Sequence, residues 1–159
     1  MIAVAQLLGN PDFENGTAPW TATAGVIDPA TSDEPAAVGS YMAWLDGYGS
    51  PHTDTLSQTV TLPAGSTHYD LNFWLHIDTQ EQTTVMANDH LWVQVLDQSG
   101  NVLGTLATYS NLNHNTGYAL HTLNMAPYAG QTVTIKFTGT EDSSNKTDFV
   151  VDYTSLKVY

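Results

Sequence analysis

The sequence predicts an all-β domain folded as a two-sheet antiparallel β-sandwich. Apolar residues alternate with polar ones, or run in β-branched stretches, along almost the whole chain, and helical spacing is nearly absent. Turn residues interrupt these stretches at short intervals, most plainly at Pro63-Ala64-Gly65, Asp97 to Asn101 and Pro127 to Gly130. A chain of 159 residues has the length of one domain and buries about two-thirds of the surface its unfolded form exposes. Residues 1–159 are therefore expected to form a single sandwich domain, without internal repeat or linker.

Taken in order, the expected strands are Val4 to Leu8, Trp20 to Val26, Ser40 to Asp46, Thr55 to Leu62, His68 to Asp78, His90 to Asp97, Val102 to Tyr109, Ala119 to Asn124, Thr132 to Thr138 and Phe149 to Val158. The fifth has the cleanest alternation. Leu71, Phe73, Leu75 and Ile77 take one face, while Asn72, Trp74, His76 and Asp78 take the other. Leu91 to Leu96, Asp97 to Asn101 and Val102 to Leu106 read as a hairpin, with Gly100 where a positive φ is usual.

Composition narrows the partners. The chain has three cations (Lys136, Lys146, Lys157), no arginine and sixteen carboxylates, for a net charge of −13. Nucleic acid and anionic membranes both need clustered Lys and Arg, so neither is expected as a partner. Surplus carboxylates suit Ca²⁺, which takes oxygen ligands; the alternative is that acidity serves solubility alone. There is no cysteine, and hence no disulfide framework. The apolar start, Met1 to Leu8, lacks a basic flank and is too short to span a bilayer.

Three segments carry a family resemblance. Asn10-Pro11-Asp12-Phe13-Glu14-Asn15-Gly16 with Trp20 resembles the opening of jelly-roll carbohydrate-binding modules, and Asp148 to Leu156 resembles their closing strand. Ser40 to Tyr48 and Asp54 to Gly65 are similar to accessory domains of secreted bacterial peptidases, including sedolisin-like ones. The resemblance implies a jelly roll, an extracellular setting within a larger secreted protein, and a structural Ca²⁺ near the first and last strands. Carried over by position, it nominates Glu14 and Asp152, with Asp46 as an addition. The chain departs from the commoner closing pair of acids, because Tyr153 follows Asp152. An aspartate among Val150, Val151 and Leu156 needs either a metal or backbone amides if buried.

A second acidic group, Asp78, Glu81, Asp89, Glu141 and Asp142, lies in loops that jelly rolls gather at the ends of the sandwich. It reads as a second Ca²⁺ site, as a ligand rim or as solvated loop acids. The six histidines show no zinc spacing; His76 and His90 flank one connection and are possible cross-strand neighbours. Sugar rings stack on exposed aromatics while amides and imidazoles read hydroxyls, a case of the apolar platform with few polar groups. Trp74, beside Asn72 and His76, is the best such platform, with Trp92 on the next strand extending it; Trp20 and Trp44 read as core.

The sequence lacks a nucleophile elbow and a cysteine, so nucleophilic catalysis has little support. The expected function is a non-catalytic module binding carbohydrate or a surface. The alternatives are a structural or protein-interaction appendage of a secreted peptidase, and a glycan-active enzyme using paired acids such as Glu81 and Glu141.

Overall fold

Alternation with a period of two fixes which face of each strand meets the core, and the computed structural model, which describes residues 3–159, follows it closely. The strands are β1 (Ala5–Gln6), β2 (Thr21–Ala22), β3 (Ile27–Pro29), β4 (Tyr41–Asp46), β5 (His52–Thr61), β6 (Tyr69–Thr79), β7 (His90–Leu96), β8 (Val102–Ser110), β9 (Ala119–Asn124), β10 (Thr132–Glu141) and β11 (Thr147–Val158). They form two antiparallel sheets, a six-stranded one in the order β3-β4-β11-β6-β9 with β1 on β11, and a five-stranded one in the order β2-β5-β10-β7-β8. This is a jelly-roll sandwich. No helix among the described residues is long and apolar enough to cross a membrane.

The core lies between the sheets. Leu71, Phe73, Leu75 and Ile77 of β6 face Val93 and Val95 of β7 and Val133, Ile135 and Phe137 of β10, all buried. Phe73 and Phe137 meet edge to face at 5.2 Å, a favoured aromatic geometry. The expected hairpin forms: β7 pairs with β8, and Gly100 at φ 86° lets Asp97 N–H reach Asn101 O at 2.8 Å.

Two irregularities, one within β11 and one at the end of β4, shape the outer surface of the six-stranded sheet and one end of the sandwich. Along β11, Asp152 pairs with Trp74 and Ser155 with Asn72, so Tyr153 and Thr154 together oppose Phe73 alone. This is a β-bulge, and Tyr153 sits in it at φ 48°. The inward positions accordingly switch from Phe149 and Val151 before it to Leu156 and Val158 after it. At the end of β4, Asp46 (φ 65°), Gly47 (φ 89°) and Gly49 (φ 72°) wind the chain tightly into β5.

Candidate functional site

The outward face of the six-stranded sheet carries a groove. Its floor is Trp74 on β6 and its flank is Tyr153, which the bulge on β11 pushes out until the residue is 53% exposed. On one side of these rings lies a hollow of about 360 Å³ walled by Pro35 to Val38 and Tyr118. On the other lies a hollow of about 350 Å³ lined by Asp70, Asn72, Leu120, Ser155, Lys157 and Tyr159. Both hollows border Trp74 and Tyr153, so together they line a track that crosses the two rings.

The wall is a loop pinned to the sheet by its polar groups. Val38 N–H donates to Asp152 Oδ2 at 3.0 Å, Ser40 and Tyr41 N–H both donate to Glu14 Oε1 at 2.8 Å, and Tyr118 Oη donates to Pro35 O at 2.7 Å. His76 Nδ1 pairs with Glu34 beneath the loop. Burial pushes Glu34 above the usual carboxylate range, partly offset by that imidazole. Within the second hollow, Asn72 is held on both ends, its amide group donating to Asp70 O at 3.2 Å and Ser155 Oγ at 3.3 Å while Thr122 Oγ1 donates to its Oδ1 at 2.7 Å. Tyr159 Oη donates to Asp70 Oδ2 at 3.0 Å.

These placements correct several expectations. Trp92 does not extend the Trp74 platform: β7 belongs to the other sheet, so its indole faces out on the opposite side of the sandwich, stacked 5.3 Å from His90. For the same reason His76 and His90 are not cross-strand neighbours. His76 is in the expected face but lies under the loop with Glu34, its ring 5.7 Å from that of Tyr118 and not itself in the lining of either hollow. Trp20 is core, whereas Trp44 is half-buried and donates to Asp148 Oδ1 at 2.8 Å.

The acids regroup as well. Glu14 and Asp152 are neighbours, and Asp152, fully buried, is pushed up to about 6 by burial, with the Glu14 charge adding to the rise. Asp46 does not join them, because it pairs with Asp148, four residues along β11 from Asp152 and so about 13 Å away. The five loop acids divide three ways. Glu81, Asp89 and Asp142 lie together; Asp78 sits with Glu34 and Asp148. Glu141 instead accepts from Tyr48 N–H (2.8 Å), Gly49 N–H (3.1 Å) and Thr147 N–H (3.2 Å). Asp89 is buried and accepts from Thr147 Oγ1 at 2.5 Å and Asp142 N–H at 3.0 Å; burial raises its pKa above the usual range. Glu81 and Glu141 thus stand in different settings, the latter with both oxygens bound to backbone amides.

Comparison with known proteins places this geometry among jelly rolls. The structure of TmCBM61 in complex with β-1,4-galactotriose superposes at a TM-score of 0.63 with 21% identity, over 96% of this chain and 97% of that one. A Stig cyclase, Fisc from Fischerella sp. TAU, matches at 0.60 with 15% identity, over 99% and 98%. The K1 cleaved adhesin domain of Lys-gingipain from Porphyromonas gingivalis W83 matches at 0.58 with 16% identity, over 99% and 98%. At these identities the likeness establishes the shared fold. No family model and no curated protein matches the sequence.

Sequence reading missed Tyr153, Tyr118, Leu120 and Lys157 on the track, Asp54, Glu34 and Asp148 among the acids, and His52 beside Asp54. For Tyr153 a signal existed: inward apolar residues occupy odd numbers at Phe149 and Val151 and even numbers at Leu156 and Val158, a parity change that demands an extra residue between them. The others reach their sites through pairings between distant strands, which no local pattern encodes.

Proposed function

We propose that this domain is a non-catalytic module that binds a neutral polysaccharide along the Trp74–Tyr153 track. The observation that carries this reading is that the two rings are shared by hollows on either side, so a chain of sugars can run across them. Apolar sugar faces lie against indole and phenol, while Asn72, Lys157 and Tyr159 meet hydroxyls. A net charge of −13 disfavours acidic glycans, which supports a neutral ligand. Glycoside hydrolysis uses two carboxylates across one bond, and among the described residues the track is lined by a single acid, Asp70, already bound to Tyr159. That supports binding without turnover.

Because TmCBM61 was captured with a β-1,4-galactotriose, galactan heads the panel of neutral glycans to be screened by affinity electrophoresis and calorimetry. Retardation by one of them, abolished by Trp74→Ala with the melting temperature kept, is the expected result. Unchanged migration in every glycan would sink the reading and favour the appendage role to which the Asp54 to Gly65 resemblance points. The Thr- and Ser-rich composition supports an extracellular setting within a larger secreted protein.

The proposal includes Ca²⁺ held by Glu14 and Asp152. Both are hard oxygen donors, which suits Ca²⁺; amides already bind both Asp152 oxygens and Glu14 Oε1, and Asp46 is not available as a third acid. The cation would tie the opening loop to the closing strand. A rise in melting temperature on adding CaCl₂ to EDTA-treated protein, lost in Glu14→Gln, is expected; identical melts would leave the amides as the only partners.

A further inference from the structure

We infer that Asp46, His52 and Asp54 form a separate divalent-cation site at the end of the sandwich, with Glu141 closing it. Asp46 is the deciding residue. Its carboxylate is buried, the residue being only 5% exposed, and neither oxygen has a hydrogen-bond partner. Among the described residues no other buried side-chain oxygen or nitrogen is left in this state. A buried carboxylate without donors is costly, and a fold keeps one where something else meets it.

What surrounds Asp46 is a set of ligands. One atom each from Asp46, His52 and Asp54 lies within 4.8 Å of the others, a spread that donors about 2.0–2.4 Å from a common ion can have. Asp54 Oδ2 accepts from Asp46 N–H at 2.8 Å, fixing the two residues together, while its Oδ1 lies 2.8 Å from His52 Nε2. The charge of Glu141 also acts on Asp46 and is held in place by three backbone amides. On β10, Gly139 leaves room: a Cβ there would stand 2.7 Å from Asp46 Oδ2. His52 is partly exposed, with the exposed ring of Tyr48 tilted beside it at 3.8 Å between centroids, which gives a route from solvent.

The other acidic groups lack this feature. In Glu34, Asp78 and Asp148, the first pairs with His76 and the last with Trp44 and Lys146; in Glu81, Asp89 and Asp142, the Ser144 hydroxyl donates to Glu81, Ser144 N–H donates to Asp142 and Thr147 Oγ1 donates to Asp89. The ligand chemistry names the class of ion. Carboxylates alone suit Ca²⁺ or Mg²⁺, whereas an imidazole among them favours Mn²⁺ or Zn²⁺.

The test uses the full chain, stripped with EDTA, dialysed and titrated separately with Mn²⁺, Zn²⁺ and Ca²⁺ by calorimetry. We expect Mn²⁺ or Zn²⁺ to bind, Asp46→Asn to abolish that binding, and His52→Gln to weaken it by at least the roughly 10–100-fold seen when a mere outer-shell partner is lost. Glu14→Gln should leave it intact, which keeps this site distinct from the Ca²⁺ proposed above. Zn²⁺ should also shift the ring resonances of His52 ahead of those of the other five histidines. Asparagine tolerates the left-handed backbone at position 46, so the metal-free variant should melt no lower than the parent. If it fails to fold, His52→Gln carries the same reading from the surface. Absence of Mn²⁺ and Zn²⁺ binding, or equal binding by parent, Asp46→Asn and His52→Gln, overturns the site.

Discussion

Replacing Tyr153 with glycine should uncouple ligand binding from stability. At φ 48° the tyrosine occupies a left-handed conformation that costs a residue with a Cβ about 1–2 kcal/mol, and glycine removes that cost. Against it, glycine adds about 0.5–1 kcal/mol of chain entropy to be lost on folding. The ring, on a residue 53% exposed, forfeits about half of the roughly 2 kcal/mol that full burial of such a side chain supplies, or about 1 kcal/mol. These contributions cancel to within about 1 kcal/mol, so urea unfolding should barely change. Binding behaves otherwise. A sugar covering about 40 Å² of the phenol face, and losing as much of its own surface, gains about 2 kcal/mol, so the variant should bind about 30-fold more weakly by calorimetry. A stability loss above about 2 kcal/mol would make Tyr153 a structural anchor, and unchanged affinity would remove it from the site.

Three further outcomes are expected from the packing and the charges. Phe137→Ala empties a fully buried position against Phe73 and should cost about 3–5 kcal/mol in urea unfolding; a loss below about 1 kcal/mol would contradict a close-packed interior. Gly47→Ala puts a Cβ at φ 89° into the Asp148 carboxylate that holds the Trp44 indole, and should destabilise by about 2–3 kcal/mol with a change in tryptophan fluorescence; an unaltered melt would refute that close approach. His121, stacked on Phe73 at 5.5 Å, is held below its usual pKa by burial. The unfolded chain therefore takes up the proton first, so this contribution to stability is whole above the unfolded value of about 6.5 and is lost progressively as pH falls below it through the lower folded value. Urea unfolding at pH 7.5 and 5.5 should show a smaller acid loss in His121→Phe than in the parent, and equal losses would remove His121 as the cause.

How much of the fold and the site is legible in the sequence depends on the range of the interaction. The two faces of β6 were readable because alternation is local, and so were the β7–β8 hairpin and most strand limits. Trp74 was correctly placed on an outward face, and the opening and closing segments did bring Glu14 beside Asp152. Sheet membership was not legible. β6 and β7 follow one another in sequence yet belong to opposite layers, and periodicity along a strand says nothing about which layer receives it. The pairing of Trp74 with Trp92 failed for that reason. Asp46 was grouped by its nearness in sequence to a familiar segment, but the left-handed turn at Asp46 and Gly47 delivers its carboxylate to residues of β5 and β10.

The bulge on β11 has a consequence for how such a surface can change over time. Tyr153 lies outside the strand's ladder register with β6 and contributes nothing to the inner layer, while Asp152 before the bulge and Ser155 after it remain paired with Trp74 and Asn72. A sheet ordinarily couples the two sides of a strand, since shifting one side chain's position shifts them all. An inserted residue in an irregular stretch absorbs such a shift locally. The aromatic at this position can therefore be exchanged for one of another shape, and the recognised molecule with it, while Leu156 and Val158 stay where the interior needs them.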